Sequence, residues 1–200
     1  MKVLVTGFEP FDGSSMNPSA EVAKSLSGRI IGGHDVTGVV LPLDYETALK
    51  EVNKHIEEHK PDVILCCGQA GRAAISIERI AVNAISTKRS DNQGKTPEQD
   101  TISSSGEVAY FTNLDPKPLV DALDNEGIPA FVSYHAGIYG CNWLIYNIME
   151  WISSGRLQTK ATFVHIPPLP EQAIEKSQLD MPTMALELST RALEVIIEAL

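Results

Sequence analysis

Length, composition and charge narrow the class of protein. The chain has 200 residues, 43% hydrophobic and 21% charged, which suffices for one substantial core, and nothing in it resembles an interdomain linker. We therefore expect one domain over residues 1–200. The formal net charge of −10, without a Lys/Arg cluster, disfavours a nucleic-acid partner. The first apolar run is too short for a signal peptide, and no run approaches 18 apolar residues, so we predict a cytoplasmic protein without a membrane partner.

Short apolar strands and amphipathic helices alternate along the chain. In order, the pattern predicts a strand at Lys2–Thr6, a helix from Asn17-Pro18 to Leu26, a strand at Asp35–Leu41, a helix from Asp44 that stops at Pro61, strands at Val63–Cys67 and Ser76–Asn83, a helix at Pro116–Glu126, a strand at Ala130–Tyr134, a helix at Cys141–Ile152, a strand at Ala161–Ile166 and a helix at Pro182–Leu200. This order predicts a three-layer α/β/α sandwich with a largely parallel central sheet.

Two segments are candidates for contacts beyond the core. Residues 86–107, STKRSDNQGKTPEQDTISSSGE, are polar, rich in turn formers and long for a passive connection. We interpret them as a flap or as an arm of an oligomer. The apolar stripe of the C-terminal helix is a second candidate interface, although it could equally pack on its own sheet.

The three cysteines fall into two kinds of position. They are too few for a disulfide framework, and Cys66-Cys67 lies inside a continuous apolar strand, where unpaired cysteines are commonly buried. Cys141 follows the glycine-rich turn GIYG at the predicted start of a helix. A thiol there can be tuned toward thiolate, so Cys141 is either a reactive residue or a helix-start packing residue.

Two other polar residues could act with Cys141. His165 lies toward the end of the strand ATFVHI, and Glu78 lies inside ISIERIAVN. Alone, a strand histidine is more often structural, and a Glu-Arg pair is more often a solvated face. If the three meet, the Cys141 thiolate attacks a carbonyl, His165 takes up and returns a proton, and Glu78 orients the imidazole ring. The reaction would be acyl transfer through a thioester.

Six sequence blocks identify a family resemblance that covers essentially the whole chain. They are TGFEPFDG at 6–13, NPS at 17–19, GQAGR at 68–72, ISIERIAVN at 75–83, SDNQG at 90–94 and SYHAGIYGCN at 133–142. In content and order they resemble the pyroglutamyl peptidase I (pyrrolidone carboxyl peptidase) family. The resemblance implies a peptidase that removes an N-terminal 5-oxoprolyl residue without metal or cofactor, usually as a cytoplasmic homotetramer. It maps the catalytic roles onto Glu78, Cys141 and His165.

The implied substrate group sets requirements for its pocket. Pyroglutamate is an uncharged lactam with an apolar ring edge, so its site needs aromatic walls and a few polar groups. By resemblance, we predict substrate contacts for Phe8, Phe11, Asn17, Gln69 and Tyr139. From the residues alone, the phenylalanines could be core aromatics, Asn17 a helix cap and Gln69 a turn residue.

The chain departs from the family pattern at two places. GQAGR is one residue shorter than the family's usual G-Q-A-G-G-R, and TKRSDN stands where members tend to carry A-R-I-P-D-N. The family's arginine is thought to help near the oxyanion. We expect the backbone N–H of Cys141 to donate to the oxyanion, and either Lys88 or Arg89 to complete the hole.

Other interpretations have less support. His55 and His59, spaced i, i+4, could bind zinc with a carboxylate, but the face is heavily charged and no third ligand is specified, so no metal is expected. GFEPFDG lacks the glycine and lysine pattern of a phosphate loop. Two alternatives stay open: an amidotransferase-type Cys-His-Glu hydrolase, although GYGCN lacks the glycine of a nucleophile elbow, and a non-catalytic small-ligand-binding α/β module.

Overall fold

A computed structural model describes all 200 residues, and in it nine strands and six helices alternate. The elements are β1 (Lys2–Phe8), α1 (Pro18–Leu26), β2 (Ile30–Ile31), β3 (His34–Leu41), α2 (Ala48–His59), β4 (Val63–Gln69), β5 (Ile75–Glu78), β6 (Ile80–Val82), β7 (Ala109–Phe111), α3 (Pro116–Asn125), β8 (Ala130–Ser133), α4 (Gly140–Ser153), β9 (Lys160–Ile166), α5 (Pro170–Glu175) and α6 (Leu186–Glu198). None of the helices combines the length and apolarity needed to cross a bilayer.

The central sheet has seven strands in the order β2-β3-β1-β4-β9-β5-β8. Strands β3, β1, β4 and β9 are mutually parallel, which confirms the largely parallel sheet predicted from the sequence. Strand β5 runs antiparallel to β9, β8 follows the direction of β5, and β2 pairs antiparallel with β3. The reversal at β5 matters for the site, because the antiparallel register places Ser76 opposite His165 and Glu78 opposite Phe163.

Helices cover both faces of this sheet. One face packs against α1, α3 and α6 through residues such as Leu26, Leu123 and Ile196, and the other against α2 and α4 through Val52 and Ile145. Each of these side chains is fully buried, a transfer that contributes about 1.5–3 kcal/mol per residue. The predicted α/β/α sandwich is confirmed. The apolar stripe of α6 packs within it, so the stripe is core rather than free surface.

Local sequence signals explain several boundaries. Asn17 caps α1, because its Oδ1 accepts a hydrogen bond from the Ser19 backbone N–H at 3.0 Å, and Pro18 occupies the first turn. The prediction of one strand over Ser76–Asn83 was wrong. The chain leaves the main sheet after Glu78, and β6 then pairs with β7 in a separate two-stranded sheet.

The C-terminal region also differs from the sequence prediction. The last helix begins at Leu186 instead of Pro182, and residues 170–175 form the short helix α5, which the sequence analysis did not anticipate. Residues 86–107 contain no helix or strand, as predicted. They are nevertheless tied to the body of the protein, since Asn92 Nδ2 donates to the Glu9 carboxylate at 2.8 Å and to the Pro10 carbonyl at 2.9 Å.

Candidate active site

A cavity of about 470 Å³ lies at the carboxyl ends of β1, β4 and β9. Both Cys141 and His165 line it, and it is the place where ligands bind in open parallel α/β sheets. The strands supply Phe8, Gln69 and His165, the N-cap of α4 is Tyr139, and the first turn of α4 supplies Cys141. The sheet therefore gathers residues that are far apart in sequence into one open pocket.

The pairing of β5 with β9 brings Glu78 against His165. In this antiparallel pair, Ser76 lies opposite His165 and Glu78 lies opposite Phe163, so all four side chains share one face. His165 Nδ1 lies 2.7 Å from Glu78 Oε1. An ionised carboxylate only accepts hydrogen bonds, so Nδ1 carries the proton and Nε2 is left as an acceptor.

Cys141 reaches the same place from the first turn of α4. Its sulfur lies against Gly68 of β4, since a Cβ built on that glycine would be 2.7 Å from Sγ and 2.8 Å from the Phe163 ring. Gly68 is also the residue paired with His165 in the register of β4 and β9. The missing side chain at residue 68 thus makes room for the sulfur next to the strand position that holds the imidazole.

We expect Gly68→Ala to disturb this arrangement. The added methyl group would overlap both Cys141 Sγ and Phe163, and overpacking of this kind costs about 1–3 kcal/mol of unfolding free energy. Denaturant unfolding and the rate of Cys141 alkylation measure the two consequences. Gly71→Ala is the matched control for unfolding, because no atom lies within 4 Å of its added Cβ. Equal unfolding free energies for the two variants would contradict the close contact.

Burial sets the protonation states of the resting site. It raises the pKa of the Cys141 thiol to about 12, and Glu78 acts in the same sense while Arg89 opposes it. Burial lowers the pKa of His165, an effect only partly offset by the hydrogen bond and charge of Glu78. The groups at rest are therefore a thiol and a neutral imidazole. The low thiol pKa anticipated for a helix start is not found, because desolvation outweighs the helix terminus.

Glu78 remains ionised although it is fully buried. Desolvation raises its pKa, but the hydrogen bond from His165, the nearby hydroxyl of Ser133 and the charge of Arg72 bring the pKa below its ordinary value. Its Oε1 accepts from both His165 and Arg72, whereas Oε2 has no partner in the protein. A buried charge without such partners would be strongly disfavoured, so the ionised state of Glu78 depends on them.

Arg72 is a functional-site residue that the sequence analysis did not propose. Its guanidinium donates to Glu78 Oε1 at 2.8 Å, to Ser133 Oγ at 3.1 Å and to the His135 carbonyl at 2.9 Å, and it also bonds to Ser76 Oγ. The shortened loop before it, GQAGR, thus delivers an arginine to the carboxylate. The sequence could not predict this contact, because the four partners of Arg72 are brought together only by the pairing of β5 with β8.

The five predicted substrate-contact residues all line the cavity. Phe8 is buried, and Phe11 and Tyr139 are partly exposed. Asn17 is 1% exposed, and its side chain is occupied as the cap of α1 and as a donor to the Glu9 carbonyl at 3.0 Å. Asn17 therefore shapes the cavity wall while its polar atoms serve the fold.

Gln69 is held by a second glutamine. Gln172 on α5 donates from Nε2 to Gln69 Oε1 at 3.0 Å, and its own Oε1 accepts from the Leu169 backbone N–H at 2.9 Å. Because the Gln69 oxygen is engaged, its amide N–H groups are the ones available to the cavity. Gln172 was missed by the sequence analysis, which had no helix at that position.

The two oxyanion candidates occupy different environments. Arg89 lines the cavity, with its guanidinium 4.0 Å from the Tyr139 ring centroid and 5.7 Å from that of Phe11. Lys88 is exposed and is not among the lining residues. The displaced arginine is thus the side chain that the fold brings to the cavity, where it stacks between two aromatic rings.

The two other cysteines lie in the core. Cys66 and Cys67 are fully buried on opposite faces of β4, and burial raises the pKa of Cys66 to about 12 and that of Cys67 well above its ordinary value. Cys141 is the one thiol of the three with partial exposure. Reagents in solution should therefore reach Cys141 selectively.

Fold and site together have the arrangement expected of a cysteine hydrolase built on an α/β/α sandwich, with Cys141 and His165 in one cavity and Glu78 bonded to His165. The family model described as pyroglutamyl peptidase matches residues 1–200. The chain belongs to this family.

Individual relatives agree along the whole chain. A pyrrolidone-carboxylate peptidase of Pyrococcus furiosus is 43% identical over 201 residues, which cover 99% of this chain and 97% of the relative. Its counterpart in Bacillus subtilis is 40% identical over 195 residues, covering 97% and 89%. A solved structure of a mutant pyrrolidone carboxyl peptidase from Pyrococcus furiosus superposes with a TM-score of 0.94 at 42% identity, covering 100% of this chain and 97% of the other.

Proposed function

We propose that this protein removes an N-terminal pyroglutamyl residue from peptides through Cys141, His165 and Glu78. The observation that supports the proposal is that a helix-start cysteine and His165 line one cavity at the carboxyl ends of the strands, while Glu78 lies 2.7 Å from Nδ1 of that histidine. Family membership gives the substrate class, since relatives named pyrrolidone-carboxylate peptidase match nearly the whole chain.

The protonation states favour attack assisted by a general base. His165 Nε2 takes the proton of the Cys141 thiol as the sulfur forms a bond to the carbonyl carbon that follows the lactam ring. Glu78 stabilises the resulting imidazolium through Nδ1. The backbone N–H of Cys141 and the Arg89 guanidinium are the donors for the developing oxyanion. A preformed thiolate is not required.

Collapse of the tetrahedral intermediate completes acyl transfer. His165 returns its proton to the leaving amine, the C–N bond breaks, and the pyroglutamyl group is left as a thioester on Cys141. His165 then takes a proton from water, whose oxygen attacks the thioester carbon. Breaking of the C–S bond releases pyroglutamate and restores the thiol with the proton held by His165.

The cavity suits an uncharged ring better than a charged N-terminus. Phe8, Phe11 and Tyr139 provide aromatic walls, and the Gln69 amide can donate to a ring carbonyl. A free α-ammonium group would lose its hydration against the aromatic walls. The charged side chains that line the cavity are mostly cationic, namely Arg72, Arg89 and Lys176, and the one carboxylate among them, Asp12, is paired with Lys176. Substrates with an open N-terminal glutamine should therefore be rejected.

The test compares fluorogenic amides of pyroglutamate, proline and glutamine with the purified protein. We expect release of the fluorophore from the pyroglutamyl amide alone, and loss of this activity with labelling of one thiol per chain by iodoacetamide. Release of ammonia from free glutamine instead would favour the amidotransferase-type hydrolase. A folded protein that turns over none of these substrates would favour the small-ligand-binding module.

The pH dependence follows from the lowered pKa of His165. As pH falls through that pKa, the imidazole gains a proton and can no longer accept one from Cys141, so the rate falls. Since burial places the pKa below the ordinary value of 6.5, the acidic limb of kcat/KM should have its midpoint below pH 6.5. Rate profiles of the protein and of His165→Asn measure it. A limb that persists unchanged in His165→Asn would contradict the role of His165.

Assembly and location complete the proposal. We retain the homotetramer and the cytoplasmic location implied by the family resemblance as predictions. The exposed apolar residues Val108 and Phe111, 85% and 62% accessible around β7, provide a surface that an assembly could cover.

A further inference from the structure

The last turn of α2 carries three metal-binding side chains on one face. His55, Glu58 and His59 stand at positions i, i+3 and i+4, the spacing that brings helix side chains together. One donor atom from each lies within 4.8 Å of the donors of the other two. The imidazole rings are nearly parallel, with a 10° interplanar angle and centroids 5.9 Å apart. Glu58 thus provides the third ligand that the sequence analysis did not specify.

Two of these donor groups have no partner within the protein. Nδ1 of His55 is buried and has no hydrogen-bond partner, and Glu58 takes part in none of the chain's salt bridges. The neighbouring Glu57, by contrast, accepts a hydrogen bond from Asn53 at 2.6 Å. A buried nitrogen without a partner is costly, and a cation bound through Nδ1 of His55 would supply the missing interaction.

The electrostatic surroundings favour a cation. The last carbonyl groups of a helix carry a partial negative charge, and this trio lies in the last turn of α2. Glu58 and His59 border a cleft of about 240 Å³ together with Asp35, which adds negative charge, and Lys2, which opposes it. The cleft lies at the amino ends of β1 and β3, the edge of the sheet opposite the Cys141 cavity. A cation there would not touch the reacting groups.

We propose that His55, Glu58 and His59 bind one divalent cation, with Zn²⁺ as the best match. Two imidazole nitrogens and one carboxylate oxygen are ligands that Zn²⁺ prefers, at about 2.0–2.2 Å each. Tetrahedral ligation at those lengths needs donors roughly 3.4 Å apart, so the three donor atoms, now within 4.8 Å of one another, would move closer together when the ion binds. Water fills the remaining position. The site is independent of the proposed peptidase reaction.

The test measures Zn²⁺ binding to the Cys141→Ser protein by titration calorimetry. That background removes the accessible thiol, which would itself bind zinc. We expect one Zn²⁺ per chain. His55→Asn, His59→Asn and Glu58→Gln should each weaken binding at least about 10-fold, as loss of metal-site partners typically does. Glu57→Gln is the matched control and should bind as the parent does. Circular dichroism establishes that each variant is folded.

A second measurement identifies the ligands. Co²⁺ replacing Zn²⁺ should give the visible bands of a nitrogen and oxygen site, without a sulfur charge-transfer band, and these bands should persist in His165→Asn. Absence of saturable Zn²⁺ binding would overturn the proposal. So would binding that survives both His55→Asn and His59→Asn, or binding lost in His165→Asn, since either result places the ion elsewhere.

Discussion

Replacing Cys141 with alanine should abolish release of fluorophore from a pyroglutamyl amide, with a fall in kcat of about 10⁴- to 10⁶-fold, the range measured when a serine hydrolase loses one member of its catalytic triad. Without the sulfur no thioester can form, even though the other residues of the cavity are unchanged. Cys141→Ser should fall by a similar factor, because the hydroxyl is a weaker nucleophile in a site arranged around a sulfur against Gly68. Initial rates measure the loss.

Stability and labelling distinguish lost chemistry from lost structure. Cys141 is partly exposed, so the change in unfolding free energy should stay within about 1 kcal/mol. Iodoacetamide labelling of the folded variant should fall to zero. Cys67→Ala is the matched control: it removes a thiol from the opposite face of β4, and we expect it to keep both activity and labelling. Activity retained in Cys141→Ala would refute the mechanism.

Cys141 and Glu78 illustrate how much of the candidate site the sequence alone can predict. From local spacing alone, the glycine-rich turn before an apolar helix indicated that Cys141 is either a reactive residue or a helix-start packing residue. Glu78 was selected as a partner, yet the reason it reaches His165 is that β5 runs antiparallel to β9, so that Glu78 lies opposite Phe163 and points along the same face as the imidazole. Local patterns predict strands but not their direction, because direction depends on long-range pairing.

The residues that were missed share another property. Arg72 and Gln172 contact other side chains of the site, one Glu78 and the other Gln69. Arg72 ends the block GQAGR, but that block alone assigned it no role, and Gln172 lies in none of the six blocks. The burial of a side chain, and therefore its effect on a pKa, likewise cannot be predicted from the sequence. The helix-start position of Cys141 suggested a lowered thiol pKa, whereas its enclosure raises that pKa to about 12. A desolvation effect of this kind depends on atoms brought from distant parts of the chain.

Glu78→Gln should produce the second large loss, about 10⁴-fold in kcat, the effect of the corresponding change in a serine-protease triad. The amide would present an N–H group to Nδ1 of His165, favouring the tautomer that carries its proton on Nε2. That nitrogen could then no longer accept the proton of Cys141. Steady-state kinetics and the unfolding free energy measure the outcome. Folded Glu78→Gln protein with kcat near that of the parent would exclude Glu78 from the mechanism.

A second variant, Arg72→Met, combined with Glu78→Gln, tests whether Arg72 affects catalysis through Glu78. Arg72→Met removes a donor from the carboxylate, so we expect a loss of about 10–100-fold, the typical effect of outer-shell partners at metal sites. Arg72 also lowers the pKa of His165, so its removal should move the acidic limb of kcat/KM to higher pH. Arg79→Met is the matched control, because Arg79 bonds to the Thr112 carbonyl away from the cavity.

A double-mutant cycle gives the decisive comparison. If Arg72 works by holding the Glu78 carboxylate, Arg72→Met should cost much less in the Glu78→Gln background than in the parent, because the interaction is already absent there. Independent effects that multiply in the double variant, together with an unmoved acidic limb, would show that Arg72 only supports the fold. Because Arg72 also bonds to Ser133 and to the His135 carbonyl, the unfolding free energy of each variant must be measured alongside its rate. The Glu78 carboxylate is fully buried yet ionised, and because His165 is neutral at rest, Arg72 is then its one cationic donor. The imidazolium that forms during the reaction adds a second positive charge beside the same carboxylate.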